Sequence, residues 1–359
     1  MDEINTSIDK QETVSLKNSG GNSFKIIATI VVVIVLGLLV WFFASNKVSN
    51  KPVQALYPGK ITIGLTEWPG YLPIYIADEQ GYFKQAGLDV QIKKYDSLID
   101  LANDYKDDKV QVETNLTLQA VNELLSGVDQ KIIVAIDYSN GADAIMAGQA
   151  IKDVPGFKGK KVAYEKGTLE EFFLEWALNT ANLTKNDIVT VDASPEKAAS
   201  LLASDSVDVA VTYEPFISST LGSNKFHKVY TSHDAPGLIT DILTVKSNFI
   251  TQYPEASQAL VKAYFQGYDF WKTHPDQADA ILAKAYNTTG QNIAQQLKGV
   301  TILDLRGNKT AFTFAPGLQS LYGNLKKIAE FVAGQKSIDA NTINTDSLVE
   351  PRFVRTLSE

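Results

Sequence analysis

The stretch ITIGLTEWPGYLPIYIADEQGYFKQAGLDV, residues 61–90, decides the fold. It opens on a β-branched alternating run at 61–66 and turns through Pro69 and Gly70. Apolar residues then follow at helical spacing from Leu72 to Phe83, and after Gly87 a second β-branched run begins. Strand, helix and strand joined by short connections form a βαβ unit, whose two strands lie parallel in one sheet.

The same alternation continues downstream. Runs KITIGLT (60–66), LDVQIKKY (88–95), VQVETN (110–115) and KIIVAIDY (131–138) alternate with helical patterns near 72–86, 97–105 and 117–126. The pattern restarts at KKVAYEK (160–166), followed by an amphipathic helix at 169–181, IVTVDA (188–193), a helix at 195–203 and VDVAVTY (207–213). A further strand-like run, PGLITDILTVKSNF (236–249), precedes a helical stretch reaching about residue 334. In the helix at 254–272, Leu260, Tyr264, Phe265, Tyr268 and Trp271 fall largely on one face, which reads as core rather than as a binding surface. The chain beyond residue 60 is longer than one core normally fills, so an α/β domain of two lobes around mostly parallel sheets is expected.

Upstream, IIATIVVVIVLGLLVWFFA (26–44) carries no charge, and its ~19 residues at ~1.5 Å rise nearly span a ~30 Å hydrocarbon core. The expectation is one transmembrane anchor at 26–44, with residues 1–25 as a cytoplasmic tail and 45–59 (SNKVSNKPVQALYPG) as an extended spacer. The binding domain then lies on the extracytoplasmic side of the cell membrane as a single-pass protein. A cleaved signal peptide is the competing reading; its apolar region is shorter, and Phe42 stands where a small residue should precede a cut after Ala44. Lysines at 10, 17 and 25 face lysines at 47, 51 and 60, so charge does not set the orientation, but a long C-terminal domain is translocated largely regardless of charge.

Composition closes several classes. With 33 basic and 41 acidic residues the net charge is −8, which gives no footprint for nucleic acid. The chain has no cysteine and hence no lipoprotein attachment. His227, His233 and His274 lack metalloprotease spacing, GFKGKK (156–161) lacks the spacing of a phosphate-binding P-loop, and there is no G-x-S-x-G elbow. No cofactor, no metal and no catalysis are expected. Asn115, Asn182, Asn287 and Asn308 begin N-x-S/T sequons.

The order W-x-G-Y-x-P, then A-x-x-x-G-Y-F-x-x-x-G-L-x-V, resembles the opening of periplasmic-type solute-binding proteins of the nitrate/sulfonate/taurine group, also called thiamine-pyrimidine-synthase-like. Trp68, Tyr71, Pro73, Ala77, Gly81, Tyr82, Phe83, Gly87 and Leu88 carry it, with Pro69 before Gly70 as a departure. DYSNGADAI (137–145), FKGKKVAYEKGT (157–168), DVAVTYEPFI (208–217), NKTAF (308–312) and SLVEPRFV (347–354) extend it over nearly everything after the spacer. The resemblance implies a two-lobed, type II venus-flytrap fold, with lobe 1 at 60–140, lobe 2 at 141–237 and a return to lobe 1 at 238–359. It also implies a small-molecule solute held in the cleft by a monomer and passed to an ABC permease whose ATPase is a separate chain. The fungal pyrimidine synthase of the same fold uses a cysteine-rich motif that cannot be built here. A receptor ectodomain is the remaining alternative.

In such sheets ligands sit beyond the carboxyl ends of the strands. Carried over by motif, Trp68, Asn115, Asp137, Thr168, Tyr213, Glu214 and Asp241 are the expected ligand-binding residues. Two have competing readings: Trp68 as a cover for the core, and Thr168 with Glu171 as a helix capping box. Asp143 reads as a turn residue. Strand ends rich in Glu, Asp, Trp and Tyr but poor in Lys and Arg, with Glu170 and Glu171 at a helix start, favour a cationic, zwitterionic or neutral nitrogen-containing solute over an oxyanion.

Overall fold

The computed structural model describes residues 56–222 and 224–358. The β-branched runs become strands β1 (Lys60–Leu65), β2 (Asp89–Lys94), β3 (Val112–Leu116) and β4 (Gln130–Ser139). These are followed by β5 (Asp143–Gly148), β6 (Lys161–Tyr164), β7 (Val189–Asp192), β8 (Val209–Tyr213) and β9 (Phe226–Thr231), then by β10 (Thr240–Lys246) and β11 (Val300–Ile302). One sheet has the order β11-β4-β10-β3-β1-β2 and the other β7-β6-β8-β5-β9. The chain passes from the first sheet to the second between Ser139 and Asp143, and returns between Thr231 and Thr240.

Both sheets are mixed rather than mostly parallel. β1 lies parallel to β2 and β3, but β10 returns between β3 and β4 and runs antiparallel to both. In the second sheet β6 is parallel to β7 and β8, whereas β5 is antiparallel to β8 and β9. This inversion has a functional consequence. It places Asp241 at the start of β10 directly opposite Asp137 near the end of β4.

The helices follow the apolar spacing. The pattern near 72–86 is two helices, Leu72–Glu79 and Tyr82–Gln85, because Gly81 takes a positive φ of 70° that ends the first. Helix Pro254–Thr273 buries Leu260, Tyr264 and Phe265 as expected, with Tyr268 and Trp271 half-buried. It also approaches helix Leu72–Glu79 very closely at Gly267, where a Cβ would stand 2.1 Å from the Pro73 carbonyl oxygen. The spacer's last residues are already docked: the Leu56 N–H donates to the Gly87 carbonyl at 3.3 Å, and the Tyr57 ring packs on Phe249 and Tyr253.

Two buried asparagines fix the strands that carry the site. Asn308 accepts from the Ala135 N–H and donates to the Ala135 carbonyl, both at 2.9 Å, so its amide imitates a neighbouring strand beside β4. Asn324 donates to the Gly237 and Leu238 carbonyls at 2.7 and 2.9 Å and so holds the return crossing. Asn308 and Asn115 are fully buried, so of the four sequons those at Asn182 and Asn287 are exposed. Among the described residues no helix is long and apolar enough to cross a membrane. The expected tail, the 26–44 anchor and residues 45–55 of the spacer lie outside the described residues.

Gly267→Ala should lower the unfolding free energy by about 1–3 kcal/mol, because the contacting atom is backbone and the helices must separate to admit a methyl group. Urea unfolding measures this, and an unchanged midpoint would contradict the packing.

Candidate functional site

The loop after β1 is built to present an indole. Trp68 has an extended backbone before a 3-10 turn at Pro69–Tyr71. Its peptide groups are clamped from the C-terminal third of the chain: the Tyr286 hydroxyl accepts from the Trp68 N–H at 3.0 Å and donates to the Trp68 carbonyl at 2.9 Å. The Tyr286 ring in turn packs edge-on against Tyr75. Thus held, the indole Nε1 donates to Asp137 Oδ2 at 3.1 Å. Gly70 makes room for that contact, since a Cβ there would fall 1.9 Å from Asp137 Oδ2 and 2.6 Å from Trp68 Nε1. The next residue, Tyr71, donates its hydroxyl to Asp241 Oδ1 at 2.7 Å. The W-x-G-Y run therefore serves both facing aspartates.

Those aspartates are buried, and among the described residues no Lys or Arg counters either charge. Burial and the neighbouring Asp241 hold Asp137 well above the usual carboxylate range, against the pull of the Trp68 hydrogen bond. Burial pushes Asp241 up to about 8, with Asp143 adding to the shift and the Tyr71 hydrogen bond opposing it.

On the second sheet Asp143 opens β5 opposite Tyr213 of β8. It is more than a turn residue: it is buried, and burial raises it to about 6, opposed by Ser139 and Lys228 and reinforced by Glu214. Ser232 stitches the two crossings together, its hydroxyl lying 2.8 Å from that of Ser139 and accepting from the Gly141 N–H at 2.7 Å. Glu214 is half-buried and accepts from the Ser218 N–H at 3.0 Å, the first turn of helix Phe216–Leu221. The half-buried Tyr213 ring packs against Phe216.

Helix Leu169–Thr180 begins beside these groups, but the capping box does not form. The Thr168 hydroxyl lies 2.7 Å from the Glu165 carbonyl oxygen and 2.5 Å from Glu170 Oε2, two acceptors for its one proton, and it caps no helix N–H. Glu171 accepts from the Gly167 N–H at 2.7 Å and pairs with Lys185. Glu170 is buried at the helix start, where burial lifts it to about 7 against the Thr168 bond and its own backbone N–H, with Asp143 and Glu165 raising it further. The positive end of this helix already faces a carboxyl group of the same chain.

Of the residues singled out from the sequence, Trp68, Asp137 and Asp241 converge on one buried point, while Tyr213, Glu214 and Thr168 gather around Asp143 and Glu170. Asn115 is placed elsewhere. Its amide donates to Glu113 and Glu123, both at 2.9 Å, and its carbonyl accepts from the Leu116 N–H, so it is engaged inside the first lobe. Burial and Glu123 hold Glu113 well above its usual range, and a hydrogen bond joins the two carboxyls. Sequence reasoning did not assign Tyr71, Asp143, Glu170 or Tyr286 to the site. Tyr71 and Gly70 were visible in W-x-G-Y, but Tyr286 carries no local signal. Among the described residues no group of three His, Cys, Asp or Glu side chains could hold a metal ion.

The raised carboxyls make stability pH-dependent. Each binds its proton more tightly folded than unfolded, so its contribution is complete below the unfolded value near 4 and is lost as pH rises through the folded values of about 6, 7 and 8 for Asp143, Glu170 and Asp241. The melting temperature should therefore fall from pH 5 to pH 8, and Asp241→Asn should flatten the slope. A melting temperature that rises over this interval would contradict the assignment.

The comparisons agree with this architecture. A family model described as NMT1/THI5 like matches residues 68–278. A Brucella abortus protein named only as a binding protein is 24% identical over 180 residues, covering 46% of this chain; the chain spans about half, 53%, of that relative's length. A Bacillus subtilis protein named for binding aliphatic sulfonates is 27% identical over 226 residues, 61% of this chain and 67% of the relative. The periplasmic aliphatic sulphonate binding protein SsuA from Escherichia coli superposes with a TM-score of 0.68 at 17% identity, covering 81% of this chain and 99% of that one. At that identity the likeness is one of fold, the two-lobed periplasmic-binding-protein fold. The family match contains Trp68, Asp137, Asp143, Glu170 and Asp241 and covers more than half of the 359 residues; the chain belongs to the NMT1/THI5-like family.

Proposed function

We propose that this protein is the solute-binding subunit of an ABC importer, that it performs no chemistry, and that it captures a small nitrogen-containing solute between its lobes. Lobe 1 comprises 60–140 with 238–359 and lobe 2 comprises 141–237. They close as a monomer over the solute, which is then delivered to a permease served by a separate ATPase chain. The segment at 26–44 holds the protein on the outer face of the cell membrane. The names of the Brucella and Bacillus relatives support a binding role.

One observation carries the choice of solute. Asp137, Asp143, Asp241 and Glu170 are all buried, the three aspartates beside the two crossings between the sheets and Glu170 in the first turn of helix Leu169–Thr180. Lys228, the cation that acts on Asp143, donates its ammonium to the Gly141 carbonyl at 2.7 Å. Carboxylates beside Trp68, Tyr71 and Tyr213 suit an amine or a protonated heterocycle, through charge pairing and cation–π contact. Trp68, Asp137, Thr168, Tyr213, Glu214 and Asp241 are retained as the groups that shape this site. Asn115 is reassigned to the interior of lobe 1.

A sulfonate-type anion is the second reading, supported by the Bacillus relative and the fold of the Escherichia coli protein. It requires donors aimed at an oxyanion. Here Glu170 stands at the start of helix Leu169–Thr180 and already takes the Thr168 hydroxyl.

A thermal-shift screen of amines, pyrimidines and small anions should pick out a nitrogen-containing compound, since binding to the native state alone raises its stability. Trp68→Ala and Glu214→Gln should each weaken its binding about tenfold or more, as measured by calorimetry. Tight binding of methanesulfonate, undiminished in both variants, would contradict the proposal. For the membrane segment, fractionation with intact-mass measurement should recover the uncleaved chain with the membrane. A soluble product beginning near Ser45 would rule the anchor out.

A further inference from the structure

The buried acids at the lobe junction do more than exclude anions. Asp137 and Asp241 face each other in register, and Asp143 lies within electrostatic reach of both. Asp137 Oδ1 and Asp143 Oδ2 are each buried without a hydrogen-bond partner. A buried oxygen in this state is unfavourable, and a buried unpaired anion far more so. Asp137 also has one side already fixed, Oδ2 by the indole of Trp68, while the Ser139 side chain acts on Asp143. What is left open is therefore directional, one acceptor from each sheet on either side of the first crossing.

We propose that the cleft exchanges an organic cation for a proton: an ammonium or amidinium-type nitrogen of the solute completes the open oxygens of Asp137 and Asp143, and its arrival drives a proton from the acidic cluster into solvent. This rests on the reading of the cleft as a site for a nitrogen-containing solute.

The surroundings of the cluster explain why protons are the exchangeable partner. From the first lobe it is faced by Trp68 and Tyr71 on the loop after β1, and by the Tyr264 hydroxyl of helix Pro254–Thr273, whose own ionisation is suppressed by burial and by Asp137. From the second lobe it is faced by Glu214 after β8, Lys228 on β9, and Glu170 with Glu165 and Tyr213 behind it. Among the described residues, Lys228 is the cation that acts on Asp143, amid carboxyls that repel one another. Near pH 7 the groups held at about 6, 7 and 8 (Asp143, Glu170 and Asp241) are spread across partial protonation. A cation placed among them favours every ionised form and lowers all of these values together. Binding then releases about one proton, and by linkage the association constant rises about tenfold per pH unit in this range.

The test uses the full-length chain with benzylamine, benzamidine, ethanolamine and putrescine as probes, and methanesulfonate and ethanesulfonate as counter-probes. Calorimetry at pH 7 in two buffers of different ionisation enthalpy counts the protons released. At least one of the four cations should bind with release of about one proton, and its dissociation constant should fall about tenfold from pH 6.5 to pH 7.5. Asp143→Asn should weaken that binding at least tenfold and reduce the proton count; unfolding curves check that the variant is folded, and Glu170→Gln carries the same test if it is not. Cation binding without proton release and with a flat pH profile would overturn the exchange while leaving the nitrogen-solute reading standing. Binding confined to methanesulfonate or ethanesulfonate would overturn both. Failure of all four cations to bind would overturn the exchange.

Discussion

A carboxyl group buried without a cation must keep its proton or receive charge from outside, and Asp137 is such a group. Around it the chain makes specific concessions. Gly70 gives up a side chain so that the Trp68 indole can reach Asp137 Oδ2 at 3.1 Å. Tyr286 holds the Trp68 peptide from 218 residues away, and Tyr71 supplies Asp241 with the hydroxyl that this second buried acid needs. A fold that only needed to fill this space would do so with apolar side chains at less energetic risk, since burying ionisable groups is unfavourable unless they are satisfied. The junction is built to hold acids.

The topology makes this arrangement possible. Because β10 re-enters the first sheet antiparallel between β3 and β4, the return crossing starts beside the outgoing one, and the acids of both crossings are brought together. Ser232 ties the crossings, while Asn308 and Asn324 brace β4 and the return segment. The lobes also touch elsewhere: the Phe172 ring packs against Phe331 at 4.9 Å, and Gln335 donates to Glu175 at 3.1 Å. The proposed closure of the lobes would be rotation about two short segments, which would put charge at those segments where bound solute and lobe angle influence one another.

Much of this was readable before the structure. Strands that stand out as short β-branched and apolar runs, such as β1, β4 and β8, were expected within a residue or two, because β4 and β8 are buried along almost their whole length and β1 along most of it. β5, β9 and β11 were not. DAIMAG contains small residues with little strand preference, FHKVYT mixes charge with apolar residues, and VTI is too short to show a period. Trp68, Asp137 and Asp241 were singled out by motif near strand ends, whereas Asp137 lies within β4 and Asp241 at the start of β10; their mutual contacts depend on register, which no local pattern contains. Asn115 shows the converse: it also stands at a strand end, yet Glu113 and Glu123, both buried, claim its amide. Thr168 had the spacing of a cap, but its hydroxyl is turned toward the Glu165 carbonyl and the Glu170 carboxyl, and its oxygen accepts no helix N–H.

The most direct measurement is a crystal structure of the protein carrying the solute it retains when purified from the cells that make it. The account predicts a cationic or neutral nitrogen group within hydrogen-bonding distance of Asp137 or Asp143, with Trp68 against its face. A sulfonate or other oxyanion seated at the start of helix Leu169–Thr180, with the Glu170 side chain displaced to admit it, would contradict it.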